Sequence, residues 1–200
     1  MHIICLDLEG VLVPEIWIEC ARRMDIPGLC RTTRDEPDYD KLMSGRLDIL
    51  RRHKLGLRDI QQVIGGMQPL PGAPEFLHAL RKQFQVVILS DTFYEFAMPL
   101  MEKLGWPTLF CHHLDTAPDG SIAGYRLRVP DQKRASVAAF KALNFRTIAA
   151  GDSYNDVGML QEADAGILFC PPPAMAGEYP QFPVTHTYAK LLEAIAAASR

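Results

Sequence analysis

Acidic and polar residues follow three short apolar runs in this chain. Asp7 and Glu9 come after residues 3–6, Ser90 and Asp91 after 86–89, and Asp152, Asn155 and Asp156 after 148–150. Short runs rich in β-branched residues and Leu read as buried parallel strands. In an open α/β sheet, ligands bind beyond the carboxyl ends of such strands. Acidic clusters meeting at one sheet edge would repel each other, shifting their pKa values and destabilising the fold. A divalent cation removes that repulsion, and hard oxygen donors favour Mg²⁺ over zinc. With a nearby hydroxyl and a lysine, the set would suit phosphate chemistry, metal and ammonium each neutralising one side of a phosphoryl group. A carboxylate outside full coordination can then attack phosphorus and carry an acyl-phosphate.

These residues need a scaffold, and the chain supplies alternating strand and helix patterns. A fourth apolar run covers 166–169, and helix spacing recurs at about 74–83, 94–104, 132–143, 155–163 and 188–198. That alternation predicts an open α/β sheet. Residues 14–71 break the rhythm, with helix-like patches at 15–24, 39–53 and 57–66 split by Pro27-Gly28 and by 32–37. The organisation expected is an α/β core from residues 1–13 and 72–200, interrupted by a helical insertion over 14–71. Within 114–128, Pro118-Asp119-Gly120 is a hairpin-type turn signal.

Asp7-Leu8-Glu9-Gly10-Val11-Leu12, Ser90-Asp91-Thr92, Lys133 and Gly151-Asp152-Ser153-Tyr154-Asn155-Asp156 follow one another in the order of the four motifs of the haloacid dehalogenase superfamily, which the chain resembles. The resemblance implies a Rossmann-like α/β core with a parallel sheet and a small helical C1-type cap formed by 14–71. Within the superfamily the chain is most similar to phosphoserine phosphatases. The Asp-Leu-Glu first motif and the run from Ser90 to Phe96 are closer still to a bifunctional bacterial branch that also passes phosphate from phosphoserine to homoserine. Serine and threonine biosynthesis is the setting this implies.

By that resemblance Asp7 is the nucleophile, and Glu9, where most relatives carry Asp, is the general acid and base. Ser90, the Asp91 N–H and Lys133 hold the phosphate. Asp7, the Glu9 carbonyl and Asp152 hold Mg²⁺, Asp156 orients the site, and Asn155 contacts substrate. In the cap, Glu15 suits the substrate ammonium, and Arg46 suits its carboxylate through a two-pronged contact. Serine and homoserine differ by one methylene, worth ~1–3 kcal/mol of discrimination, so one site could admit both.

Plainer readings stand beside these. Ser-Asp-Thr before a helix reads equally as a cap. Glu15 after Pro14 suits a helix first turn, and Arg46 and Lys133 read as solvated charges. His112-His113 reads as a surface or loop pair. Trp17 reads as cap core, and Phe93, Tyr94 and Phe96 as packing. The rival functions are a phosphatase for another small metabolite and a receiver-type phospho-switch, which would need no cap. Of the 200 residues 48% are hydrophobic, and 21 Lys and Arg against 24 Asp and Glu give a net charge of −3. That balance disfavours nucleic acid as a partner. No run reaches the ~18 apolar residues of a membrane span, so the expectation is a cytoplasmic protein acting on a small molecule. The five scattered cysteines form no CxxC pair and read as reduced and mostly buried.

Overall fold

The computed structural model describes residues 1–32, 35, 36 and 38–200. The expected break at 32–37 lies partly outside these, at Thr33, Arg34 and Pro37. The sheet has seven strands in the order β4-β3-β2-β1-β5-β6-β7. These are β1 (His2–Leu6), β2 (Gln85–Phe93), β3 (Thr108–Thr116), β4 (Ile122–Arg126), β5 (Arg146–Gly151), β6 (Ala165–Phe169) and β7 (Val184–Thr185). Only β4 runs antiparallel, paired with β3 across the predicted 118–120 turn. β1 sits at the centre, with Leu6 opposite Ile88 on one side and Ala150 on the other. The three acidic motifs therefore leave neighbouring strands at the same edge.

Strand periodicity divides the core between the two sheet faces. Ile4 and Leu6 of β1 and Ile148 and Ala150 of β5 join one apolar cluster, while Ile3, Cys5 and Ala149 join the other. Burial of each such aliphatic chain contributes ~1.5–3 kcal/mol. Helices α1 (Ile16–Met24), α2 (Tyr39–Arg52) and α3 (Leu57–Gly65) lie between β1 and β2 in the chain, within residues 14–71. Their apolar faces, including Trp17, Leu47 and Ile64, share a cluster with Phe93 and Phe96 of the core. The remaining helices are α4 (Ala73–Arg81), α5 (Tyr94–Lys103), α6 (Gln132–Ala142), α7 (Val157–Glu162), α8 (Pro173–Glu178) and α9 (Tyr188–Ala198). Among the described residues no helix is long and apolar enough to cross a membrane.

Local chemistry sets several element ends. Asp38 caps α2 by accepting the Lys41 N–H at 3.1 Å, and Thr187 caps α9 through Lys190 N–H at 3.3 Å. Pro99 inside α5 cannot donate to the Glu95 carbonyl four residues back. That carbonyl instead accepts Gln61 Nε2 of α3 at 2.7 Å, so a helix defect becomes a tie between insertion and core.

The structure differs from the sequence reading at several places. β2 continues through Ser90, Asp91 and Thr92, so Ser90 belongs to an irregular strand end and caps no helix. The 155–163 helix splits into a 3₁₀ turn at Tyr154–Asp156 and the short α7. His112 is buried within β3, where a surface or loop place was expected; His113 is exposed. Cys5, Cys20 and Cys111 are buried, while Cys30 and Cys170 are exposed.

Candidate active site

Asp7 leaves the end of β1 almost fully buried, and Lys133 enters from the first turn of α6, 2% exposed. The solvated-charge reading of Lys133 is therefore wrong. Its Nζ lies 2.8 Å from Asp7 Oδ1, 2.7 Å from Asp156 Oδ1 and 3.8 Å from Asp91 Oδ2. Asp7 Oδ1 also accepts the Leu8 N–H at 2.8 Å, which leaves Oδ2 outside both contacts. Burial alone would lower the Lys133 pKa, but Asp156, Asp7 and Asp91 together hold it well above the ordinary value.

Asp156 is committed to architecture as well as to the lysine. Its Oδ2 accepts the N–H groups of Asp152 at 3.0 Å and Ser153 at 3.1 Å, closing the turn that follows β5. Two glycines make room for this. A Cβ on Gly151 would lie 2.3 Å from Asp156 Cγ, and one on Gly10, at φ +78°, would lie 2.4 Å from the Asp152 carboxylate.

Asp7, Asp152 and Asp156 each offer an oxygen within 4.8 Å of the others. Burial first, then the charges of Asp156 and Asp152, push the Asp7 carboxyl well above the usual carboxylate range against the pull of Lys133. One ammonium facing three carboxylates leaves negative charge in excess, and all three donors are hard oxygens. The residues present therefore fit a divalent cation such as Mg²⁺.

A cavity of about 250 Å³ opens from this cluster and is lined on the core side by Asp7, Ser90, Asp91, Lys133, Asp152 and Asn155. The insertion lines it with Glu15, Tyr39 and Arg46. Arg46 is 8% exposed, and the surface reading of it fails. Its guanidinium lies 4.6 Å from the Trp17 ring centroid, and one terminal nitrogen donates to the Arg31 carbonyl at 2.8 Å. Nε is buried with no hydrogen-bond partner, and burial lowers the Arg46 pKa despite attraction from Glu9, Tyr39 and Glu15. Glu15 immediately precedes α1 and is half-buried. Glu9 also lines the cavity and accepts the Ile16 N–H, at the start of α1, at 2.7 Å. Burial and then Glu15 raise its pKa to about 8.

Asp91 faces three partners. Its carboxylate accepts Asn155 Nδ2 at 3.2 Å, and lies 3.7 Å from His112 Nε2 and near Lys133. Burial pushes its pKa up, but Lys133, His112 and Asn155 outweigh that and hold it below the usual range. The Tyr39 hydroxyl of α2 donates to the Asp91 carbonyl at 3.0 Å. The sequence reading missed His112, whose Nδ1 accepts the Arg128 N–H at 3.0 Å. The apolar residues Leu109, Cys111 and Leu114 around it were the available signal of a buried strand. Of the site residues named from sequence, all but Asp156 line this one cavity; Asp156 is fully buried and meets the site through Lys133.

A sequence profile for haloacid dehalogenase-like hydrolases matches residues 1–164. The chain is 59% identical to the phosphoserine phosphatase ThrH of Pseudomonas aeruginosa, over 100% of this chain and 98% of the relative. It is 58% identical to a phosphoserine phosphatase of Pseudomonas syringae pv. tomato, over 100% of this chain and 84% of the relative. The fold is also similar to the crystal structure of a phosphoserine phosphatase from T. onnurineus in complex with NDSB-201. That match has a TM-score of 0.74 and 23% identity, and covers 97% of this chain and 94% of the other. With its motif residues gathered at one sheet edge and two relatives matched along its whole length, the chain belongs to the haloacid dehalogenase-like hydrolases, in the phosphoserine phosphatase family.

Proposed function

We propose that the protein is a Mg²⁺-dependent phosphoserine phosphatase that works through an aspartyl-phosphate on Asp7 and also passes that phosphate to homoserine. The observation that carries this is the buried Asp7–Lys133 pair, 2.8 Å apart in a cavity that Arg46 and Glu15 also line. A phosphate and an amino acid are the two things such walls would recognise together. The names of the relatives support phosphoserine as donor.

Residues 1–13 and 72–200 form the catalytic core in this reading, and 14–71 form the cap that selects the leaving group. Asp7, Asp152 and the Glu9 carbonyl would hold Mg²⁺. Once bound, the metal supplies charge neutralisation for a phosphoryl oxygen. Lys133 neutralises a second oxygen, and its charge pulls against the burial and like charges that raise the Asp7 pKa. Ser90 and the Asp91 N–H hold the phosphoryl group, and Asn155 contacts the substrate. Arg46 takes the substrate carboxylate through its guanidinium, and Glu15 takes the ammonium.

Asp7 Oδ2 attacks phosphorus while the bond to the serine oxygen breaks, and Glu9 gives that oxygen a proton. In the second half, water or homoserine attacks the aspartyl-phosphate, Glu9 takes the acceptor's proton, and Asp7 is restored. Pure protein incubated with Mg²⁺ and phosphoserine should release phosphate, and added homoserine should yield O-phosphohomoserine. Absence of both products would sink the reading; phosphate alone would remove only the transfer.

A further inference from the structure

Gln132 directly precedes Lys133 and is 1% exposed, yet the chemistry above makes no use of it. Its Nε2 donates to the Ser90 carbonyl at 2.7 Å and reaches the Phe110 carbonyl at 3.5 Å. Both partners are acceptors, so the amide has one sensible orientation; turning it over would set Oε1 against two carbonyl oxygens. Oε1 is itself buried with no hydrogen-bond partner. A buried, unpaired acceptor costs stability. A side chain retained at such a cost, one residue from the site lysine, calls for a reason in the site.

The sheet supplies that reason. β2 and β3 pair regularly up to Leu89 opposite Phe110, and the register shifts before Phe93 pairs with His112. Ser90, Asp91 and Thr92 lie in that gap, where the ladder is interrupted. The Gln132 amide stands in for the missing ladder donor on the Ser90 carbonyl. A planar trans peptide points its C=O and N–H in opposite directions. Gripping the Ser90 carbonyl from α6 therefore turns the Asp91 N–H away from α6. Ser90 and Asp91 line the 250 Å³ cavity, while Gln132 lies outside its lining.

We propose that Gln132 is a positioning residue for the phosphate site: its amide fastens the Ser90–Asp91 peptide so that the Asp91 N–H and the Ser90 hydroxyl face the phosphoryl group, in fixed relation to the adjacent Lys133. This rests on the phosphate reading of the cavity given above. The substrate's amino-acid end is held elsewhere, by Arg46 and Glu15, so Gln132 governs turnover more than capture.

The test compares the full-length parent with Gln132→Met, which removes both amide atoms, and with Gln132→Glu, which keeps the shape but sets a carboxylate against the Ser90 carbonyl. Phosphoserine hydrolysis with Mg²⁺, inhibition by inorganic phosphate and melting temperature are measured on each. Expected for both variants is a kcat lowered on the order of 10- to 100-fold, as for a misdirected transition-state donor. KM should stay within about twofold and inhibition by phosphate should weaken. Gln132→Met also sheds the unpaired acceptor, so its melting temperature should stay within about 5 °C of the parent. Unchanged kcat per folded molecule in both variants, or failure of both to fold, overturns the proposal and leaves Gln132 a structural residue. An inactive parent instead removes the phosphoserine reading on which the proposal stands, an outcome visible before any variant is compared.

Discussion

At the scale of single residues, the site depends on a buried charge imbalance. Asp7, Asp152 and Asp156 surround Lys133 in a region where water screens little. Asp7→Asn keeps the shape and the Leu8 N–H contact but removes the attacking oxygen. Turnover of phosphoserine with Mg²⁺ should fall by at least about 10⁴-fold, the order seen when a catalytic nucleophile is removed. Residual turnover near the parent level would move the nucleophile elsewhere. Arg46 offers a second test, because it is a buried charge that lines the proposed substrate pocket. A charged hydrogen bond contributes ~1.5–3 kcal/mol, so Arg46→Ala should cost phosphoserine about 10- to 100-fold in kcat/KM. A phosphomonoester without a carboxylate, such as p-nitrophenyl phosphate, should lose far less. Equal losses on both substrates would assign Arg46 to packing on Trp17 alone.

At the scale of elements, the tie between insertion and core can be broken at one atom. Gln61→Leu removes the donor that satisfies the Glu95 carbonyl freed by Pro99. An unsatisfied, partly buried carbonyl costs ~1–3 kcal/mol, so chemical denaturation should show a lower midpoint with an unchanged slope. A stability equal to the parent's would mean that water replaces the amide. The strands bearing Asp7 and Asp152 were legible in sequence because they are uninterrupted apolar runs ending in acids. The helices of 14–71 were legible from period and from breakers such as Pro27-Gly28. The irregular end of β2 was not, because a register shift leaves no mark in residue type: Ser90, Asp91 and Thr92 read equally as a helix cap. His112 was read as part of a surface or loop pair, and Gln132 drew no reading, for a related reason. Each is a polar residue whose burial depends on a distant partner, Asp91 for one and the Ser90 carbonyl for the other. Local pattern carries no information about contacts tens of residues apart.

At the scale of the molecule, the three acidic motifs meet only after β1, β2 and β5 are side by side, so the oxygen cluster exists in the folded chain and is scattered in the unfolded one. A ligand that binds only the folded state stabilises it by RT ln(1 + [L]/Kd), ~2.7 kcal/mol at a hundredfold excess over Kd. Saturating Mg²⁺ should therefore raise the melting temperature by several degrees for a chain of this size, about 2–4 °C per kcal/mol. A chelator should reverse the shift and abolish phosphoserine turnover together. Asp152→Asn removes one ligand charge and lessens the repulsion on Asp7. The metal-free variant should melt no lower than the metal-free parent, while its Mg²⁺-dependent shift should shrink or vanish. Protons compete with a metal for carboxylates, so the shift in the parent should also diminish as pH falls. A full shift in Asp152→Asn, unchanged by pH, would place the cation away from this sheet edge and detach the metal from the chemistry of Asp7.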